Sequence, residues 1–173
     1  GWSWYGIDGN PQPEDGSVRS SYHIDDDGLY ILLDVTDSKF VNECDSNTIG
    51  QMYNYDSIQI GFDVEMTNTT AQRHECQLGL TKDGVIFYKQ VGPNVGTMLP
   101  VDYTSPGQVF DQKYSRIEVN GNHTYYKIFL PQSQLFPYTY PSTVNYCRLS
   151  VLVNENDGTG RKGFYEWGSG IGT

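Results

Sequence analysis

The segment "DSIQIGFDV", residues 56–64, decides the fold. Strict alternation puts Ile58, Ile60, Phe62 and Val64 on one face and Ser57, Gln59, Gly61 and Asp63 on the other. A period of two is that of a strand with one face buried. The same alternation recurs in "GLYILLDVTD", which aligns Leu29, Ile31, Leu33 and Val35. In "HECQLGL", Cys76, Leu78 and Leu80 face inward while Glu75, Gln77 and Gly79 face outward. "GVIFYKQV", "SRIEV", "TYYKIFL", "YCRLSVLV" and "GFYEW" are further strand candidates. Turn chemistry separates them at Asp26-Asp27-Gly28, Lys82-Asp83-Gly84, Asn120-Gly121-Asn122 and Asn156-Asp157-Gly158. Together these predict an all-β, antiparallel β-sandwich of roughly nine to eleven strands.

Other stretches are less regular. Trp2 and Trp4 read as part of a flanking strand. "LPQSQLFPY" is the one helix-like piece, opened by Pro131 and stopped by Pro137. Residues 92–115, with Pro93, Pro100 and Pro106, read as a long irregular loop. No repeat or low-complexity segment divides the chain, so residues 1–173 are expected to form a single domain. The abrupt "GWSWYG" beginning suggests a piece trimmed from a larger protein.

Composition narrows the partners. A net charge of −10 and no basic stripe argue against nucleic acid and against an anionic membrane surface. No run of apolar residues is long enough for a spanning helix. The 14 tyrosines, against 7 Phe and 3 Trp, suit β-structure with aromatic surface. A neutral sugar and a secreted setting are both compatible with such a surface. Cys44, Cys76 and Cys147 have no metal-like spacing, so one disulfide plus a thiol and three free thiols both stay open. Two sequons begin at Asn68 and Asn122.

"DDGLYILLDVTDSKF", "YNYDSIQIGFDV", "HECQLGLTKDG", "YKIFLP" and "RLSVLVNENDGTGRKGFYEWGSGIG" occur in an order that resembles the family 9 carbohydrate-binding modules. These belong to a superfamily of sandwiches that includes the DOMON domains. The resemblance runs from about Val18 to Gly172. It implies a non-catalytic, monomeric module, linked to a plant-polysaccharide hydrolase, that binds xylan, cellulose or a related β-glycan. Family members clamp a terminal sugar between two tryptophans, with polar groups around its hydroxyls. Carried over, the implied site residues are Tyr53 (or Tyr55), Gln59, Glu75, Gln77 and Trp167. Tyr53 and Gln59 replace the Trp and Glu of the best known members, so a preference for chain ends is not carried over.

The residue types suit the task. A pyranose has apolar C–H faces for aromatic rings and a rim of hydroxyls for Gln and Glu. Without the resemblance, the Gln59/Gln77 face is equally a solvated sheet face, and Trp167 is equally a core residue beside Tyr165. The family also implies structural calcium. "NENDG", 154–158, and "DDDG", 25–28, offer oxygen ligands, although each is also an ordinary turn. Arg161 is expected to pair with a carboxylate inside the sandwich.

Two rival functions remain. A DOMON-type electron-transfer domain would hold haem through a Met and a His, drawn from Met52, Met66, Met98, His23, His74 and His123. A small sandwich-fold glycoside hydrolase would need two carboxylates across one cleft. Glu75 and Asp63 are the nearest pair, and nothing marks them as acid and base.

Overall fold

The computed structural model describes residues 1–45, 47–63, 74–82, 84, 86–91, 116–131, 148–168 and 171. Among these, ten strands form two antiparallel sheets. They are β1 (Ser3–Gly6), β2 (Ser17–Asp25), β3 (Gly28–Thr36), β4 (Ser57–Asp63), β5 (His74–Leu80), β6 (Ile86–Val91), β7 (Arg116–Asn120), β8 (His123–Pro131), β9 (Arg148–Asn156) and β10 (Arg161–Trp167). One sheet has the order β1-β10-β9-β4-β5-β6 and the other β2-β3-β8-β7. The predicted all-β sandwich is the observed one.

The core is the meeting of the alternating series. Leu29, Ile31, Leu33 and Val35 of β3, with Tyr126 and Ile128 of β8, face Ile58, Ile60, Leu78, Val151, Val153 and Tyr165 of the larger sheet. Register enforces this. Ile58 lies opposite Val153 and Leu78, and Ile60 opposite Val151, so one slip would turn every apolar group to solvent.

Two elements went unread or underread. β2, "SVRSSYHID", carries Ser20 in its inward series with Val18 and Tyr22, which hides the period. It is an edge strand with most side chains exposed, held by its ladder to β3 rather than by burial. β9 continues past Val153 to Asn156, because Asn154 and Asn156 find partners on neighbouring segments. The helix-like piece and the 92–115 loop lie outside the described residues, apart from Leu130 and Pro131 in β8.

Backbones approach closely where β1 docks on β10. A Cβ on Gly163 would collide with the Tyr5 carbonyl oxygen and lie 2.6 Å from the Trp4 ring. Backbone cannot yield there as a side chain could. Gly163→Ala is therefore expected to cost about 1–3 kcal/mol, measured as a lower urea midpoint. An unchanged midpoint would show that β1 is not seated there.

Candidate functional site

Alternation sorts the larger sheet into two faces. The outer face carries, in one row across the strands, Glu166, Leu152, Gln59 and Gln77. The next row carries Ser150, Gly61 and Glu75, and the row on the other side carries Tyr5, Phe164, Asn154, Ser57 and Gly79. Gln59 and Gln77 are thus direct cross-strand neighbours, with Glu75 one register position away. The side chain of Glu75 lies outside the described residues.

This face is not the open sheet surface that alternation alone suggests. A segment leading into the 3-10 turn Ile49–Asn54 lies over it. Asn42 and Met52 sit above Gly79, where a Cβ would come within 2.8 Å of the Asn42 Nδ2 and 2.9 Å of the Met52 Sδ. Gln59 and Gln77 are only 8% and 7% exposed, and the Gln77 Oε1 has no hydrogen-bond partner among the described residues. A buried acceptor without a donor costs stability, so it invites one from outside.

Tyr53 is the exposed member, at 39%. Its ring lies 5.6 Å from the Arg161 Cζ, and the other side of this contact is Phe164, at 5.2 Å. Phe164 in turn stacks on Tyr5, with centroids 5.2 Å apart and planes 21° from parallel. The Arg161 Nη2 donates to the Asn154 Oδ1, and Asn154 donates to the Ser57 Oγ. The Arg161 Nε is buried without a partner, and burial lowers the guanidinium pKa. Arg161 therefore stands between aromatic rings on the outer face, not paired with a carboxylate between the sheets.

Trp167 is the clear departure. It lies opposite Val151, two residues after the buried Tyr165, and so faces the other sheet. Its ring packs on Tyr22 of β2, with centroids 4.7 Å apart. Trp4 packs on Tyr165 at 4.9 Å, and the Trp2 Nε1 donates to the Ser20 Oγ. The three tryptophans close one seam between the sheets. Trp167 cannot share a site with Gln59 and Gln77, because β10 places it through the sheet from them.

The acidic turns also sort themselves. In "DDDG", the Asp25 Oδ1 accepts the backbone N–H groups of Asp27 and Gly28, which is hairpin chemistry. In "NENDG", the Asp157 Oδ1 accepts from Thr159 and the Asn156 Oδ1 from Gly158, again a turn. Glu155 is different. Its carboxylate meets those of Asp37 and Asp56, with ligand atoms all within 4.8 Å of one another. Each acid extends an inward apolar series by one period: Ile31, Leu33, Val35, Asp37; Ile60, Ile58, Asp56; Val151, Val153, Glu155. That signal was available in the sequence.

Three like charges at the end of a core are costly. Glu155 is only 5% exposed. Burial, then the Asp37 charge, pushes its pKa up to about 8. Burial, then Glu155 and Asp37, pushes Asp56 up to about 9. Asp37 is also raised, chiefly by burial. No Lys or Arg pairs with them among the described residues. An all-oxygen, acid-rich set suits a hard divalent cation such as calcium, so the donor chemistry fits the ion that the family resemblance implied.

Beside this cluster opens a cleft of about 730 Å³, lined by Lys39, Val41, Asn42, Tyr55, Lys82 and Asn156. The candidate haem ligands are scattered. His23 bonds Asp25 and His123 bonds Asp34 on the smaller sheet, while Met52 lies over the outer face of the larger one. His74, Met66 and Met98 side chains lie outside the described residues.

A solved carbohydrate-binding module of family 9 from Caldicellulosiruptor kristjanssonii, in complex with cellotriose, superposes with a TM-score of 0.59. The match covers 95% of this chain and 71% of that one, at 15% identity. The fold is that of a family 9 carbohydrate-binding module. No family model and no curated protein matches the sequence. At this identity the likeness to family 9 is one of architecture, and the site must be argued from this chain's own residues.

Placement of Trp167 in the seam gives a direct expectation. Trp167→Ala should weaken folding by about 2 kcal/mol through lost packing on Tyr22, while affinity for a soluble oligosaccharide is unchanged. A variant as stable as the parent that no longer binds sugar would return Trp167 to the site.

Proposed function

We propose that this chain is a non-catalytic carbohydrate-binding module that takes a β-linked glucan, presented as cellulose chains or soluble cello-oligosaccharides, on the outer face of its larger sheet. The observation that carries this reading is the Tyr53–Arg161–Phe164–Tyr5 stack beside buried amides. Tyr53 offers a ring, held by the cation beneath it, to the apolar face of a sugar. Gln59 and Gln77 form a floor, and the unpartnered Gln77 Oε1 accepts from a hydroxyl. Glu75, one register position away, is the further polar member. The bound cellotriose of the structural relative supports glucan over xylan as the first ligand to test. Xylan, which the relative does not bear on, is the second.

The proposed setting follows from the ligand. A module of this kind works outside the cell, tethered to a glycoside hydrolase that it holds near its substrate. The proposed cofactor is one structural calcium held by Asp37, Asp56 and Glu155. The ion would join β4 and β9 of one sheet to the end of β3 in the other, as a staple at the open end of the core.

Both parts are measurable. Tyr53→Ala should weaken cellotriose binding by about 1–1.4 kcal/mol, some five- to tenfold, in a calorimetric titration. Equal affinity in the variant would refute stacking on Tyr53. Saturating calcium should raise the melting temperature by roughly 5–10 °C over the chelated protein, as about 2.7 kcal/mol of linkage at a hundred times the Kd implies. Asp37→Asn should abolish most of that increment. A melting temperature indifferent to calcium would remove the ion from this site.

A further inference from the structure

The three carboxylates are not remote from the aromatic stack. Asp56 is stitched to the covering segment by three hydrogen bonds and to β9 by a fourth. Its carboxylate accepts the N–H groups of Val41 and Asn156, its own N–H donates to the Val41 carbonyl at 2.9 Å, and its carbonyl accepts from the Asn42 amide at 3.1 Å. The same stitch runs to the Tyr53 turn. The Asn156 Nδ2 donates to the Asn54 carbonyl at 2.6 Å, and the Ser57 Oγ donates to the Met52 carbonyl at 2.8 Å. Glu155 sits between Asn154, which holds Arg161, and Asn156, which holds Asn54. The ring of Tyr53 and the guanidinium beneath it are thus fixed by the immediate neighbours of the cluster.

Remove a cation from among the three carboxylates and Asp56 and Glu155 lose the ion that bridges them and fixes their spacing. Asp56 directly precedes β4 and follows the Tyr53 turn, so a shift of Asp56 carries that turn with it.

We infer that the cation held by Asp37, Asp56 and Glu155 positions the Tyr53–Arg161 stack, so that calcium occupancy sets the affinity of the sugar face. The inference rests on the sugar-binding reading above, and it goes beyond a purely stapling ion. Coupling is reciprocal: whatever factor calcium adds to sugar affinity, sugar must add to calcium affinity.

The test uses the whole chain. Calcium is titrated into chelated protein while the Tyr53 ring and Arg161 side-chain resonances are followed by NMR, and cellotriose affinity is measured with saturating calcium and with chelator. Circular dichroism confirms that the chelated chain stays folded. The expected result is a shift of both resonance sets with a single calcium midpoint, and at least tenfold weaker cellotriose binding in chelator. Asp37→Asn touches neither Tyr53 nor Arg161, and should move the calcium midpoint at least tenfold higher while restoring the same shifted resonances at saturation. Resonances of Tyr53 and Arg161 that ignore calcium would overturn the coupling, whether because no ion binds or because it binds without reaching the stack. Shifted resonances with equal cellotriose affinity in both conditions would overturn it as well. Shifted resonances with no cellotriose binding in either condition would sustain the positioning role and sink the sugar reading instead.

Discussion

Convergence of three carboxylates, two of them buried, at one end of an otherwise apolar interior is the constraint on which this structure turns. Asp37, Asp56 and Glu155 occupy positions that alternation assigns to the core, where an unpaired charge is among the most expensive groups a protein can hold. The apolar series of β3, β4 and β9 end there because each ends in an acid. Everything nearby reflects the need to hold those acids still: the doubled bonding of Asp56 to residue 41, the asparagines that flank Glu155, and the covering segment that results.

That covering segment is what changes a plain sheet face into a candidate site. With it in place, amides that would otherwise be solvated become buried, and one of them is left with an unused acceptor. Tyr53 emerges at the edge, against a guanidinium that is itself wedged against Phe164. The aromatic surface expected from a tyrosine-rich chain is therefore localised, not spread.

How much of this was legible in the sequence follows from what sets each feature. Strands with a clean inward series, such as β3 and β4, were readable because burial writes itself at period two. β2 was not, because an edge strand is held by backbone pairing that leaves little mark on side-chain choice. The outward placement of Gln59 and Gln77 followed from the same alternation that placed Ile58 and Leu78. A strand-end tryptophan among glycines reads as exposed, whereas the parity of Trp167 with Tyr165 turns it toward Tyr22. The acid cluster is not local in the sequence: its three members come together only through the pairing of distant strands. The Arg161 stack depends on a bulge between Arg161 and Gly163 that shifts the register, which no local pattern announces.

The pairing of β1 with β10 has a geometric outcome for the chain as a whole. Ser3 lies opposite Glu166, so the chain enters and leaves its sheet side by side, at the end where β10 finishes. Arg161, at the other end of that strand, marks the end where the acids and the Tyr53 turn gather. The first and last strands of the sheet thus meet at one pole, and the acids and the Tyr53 turn gather toward the other. Were another domain joined at either terminus, it would sit at the pole away from the acids.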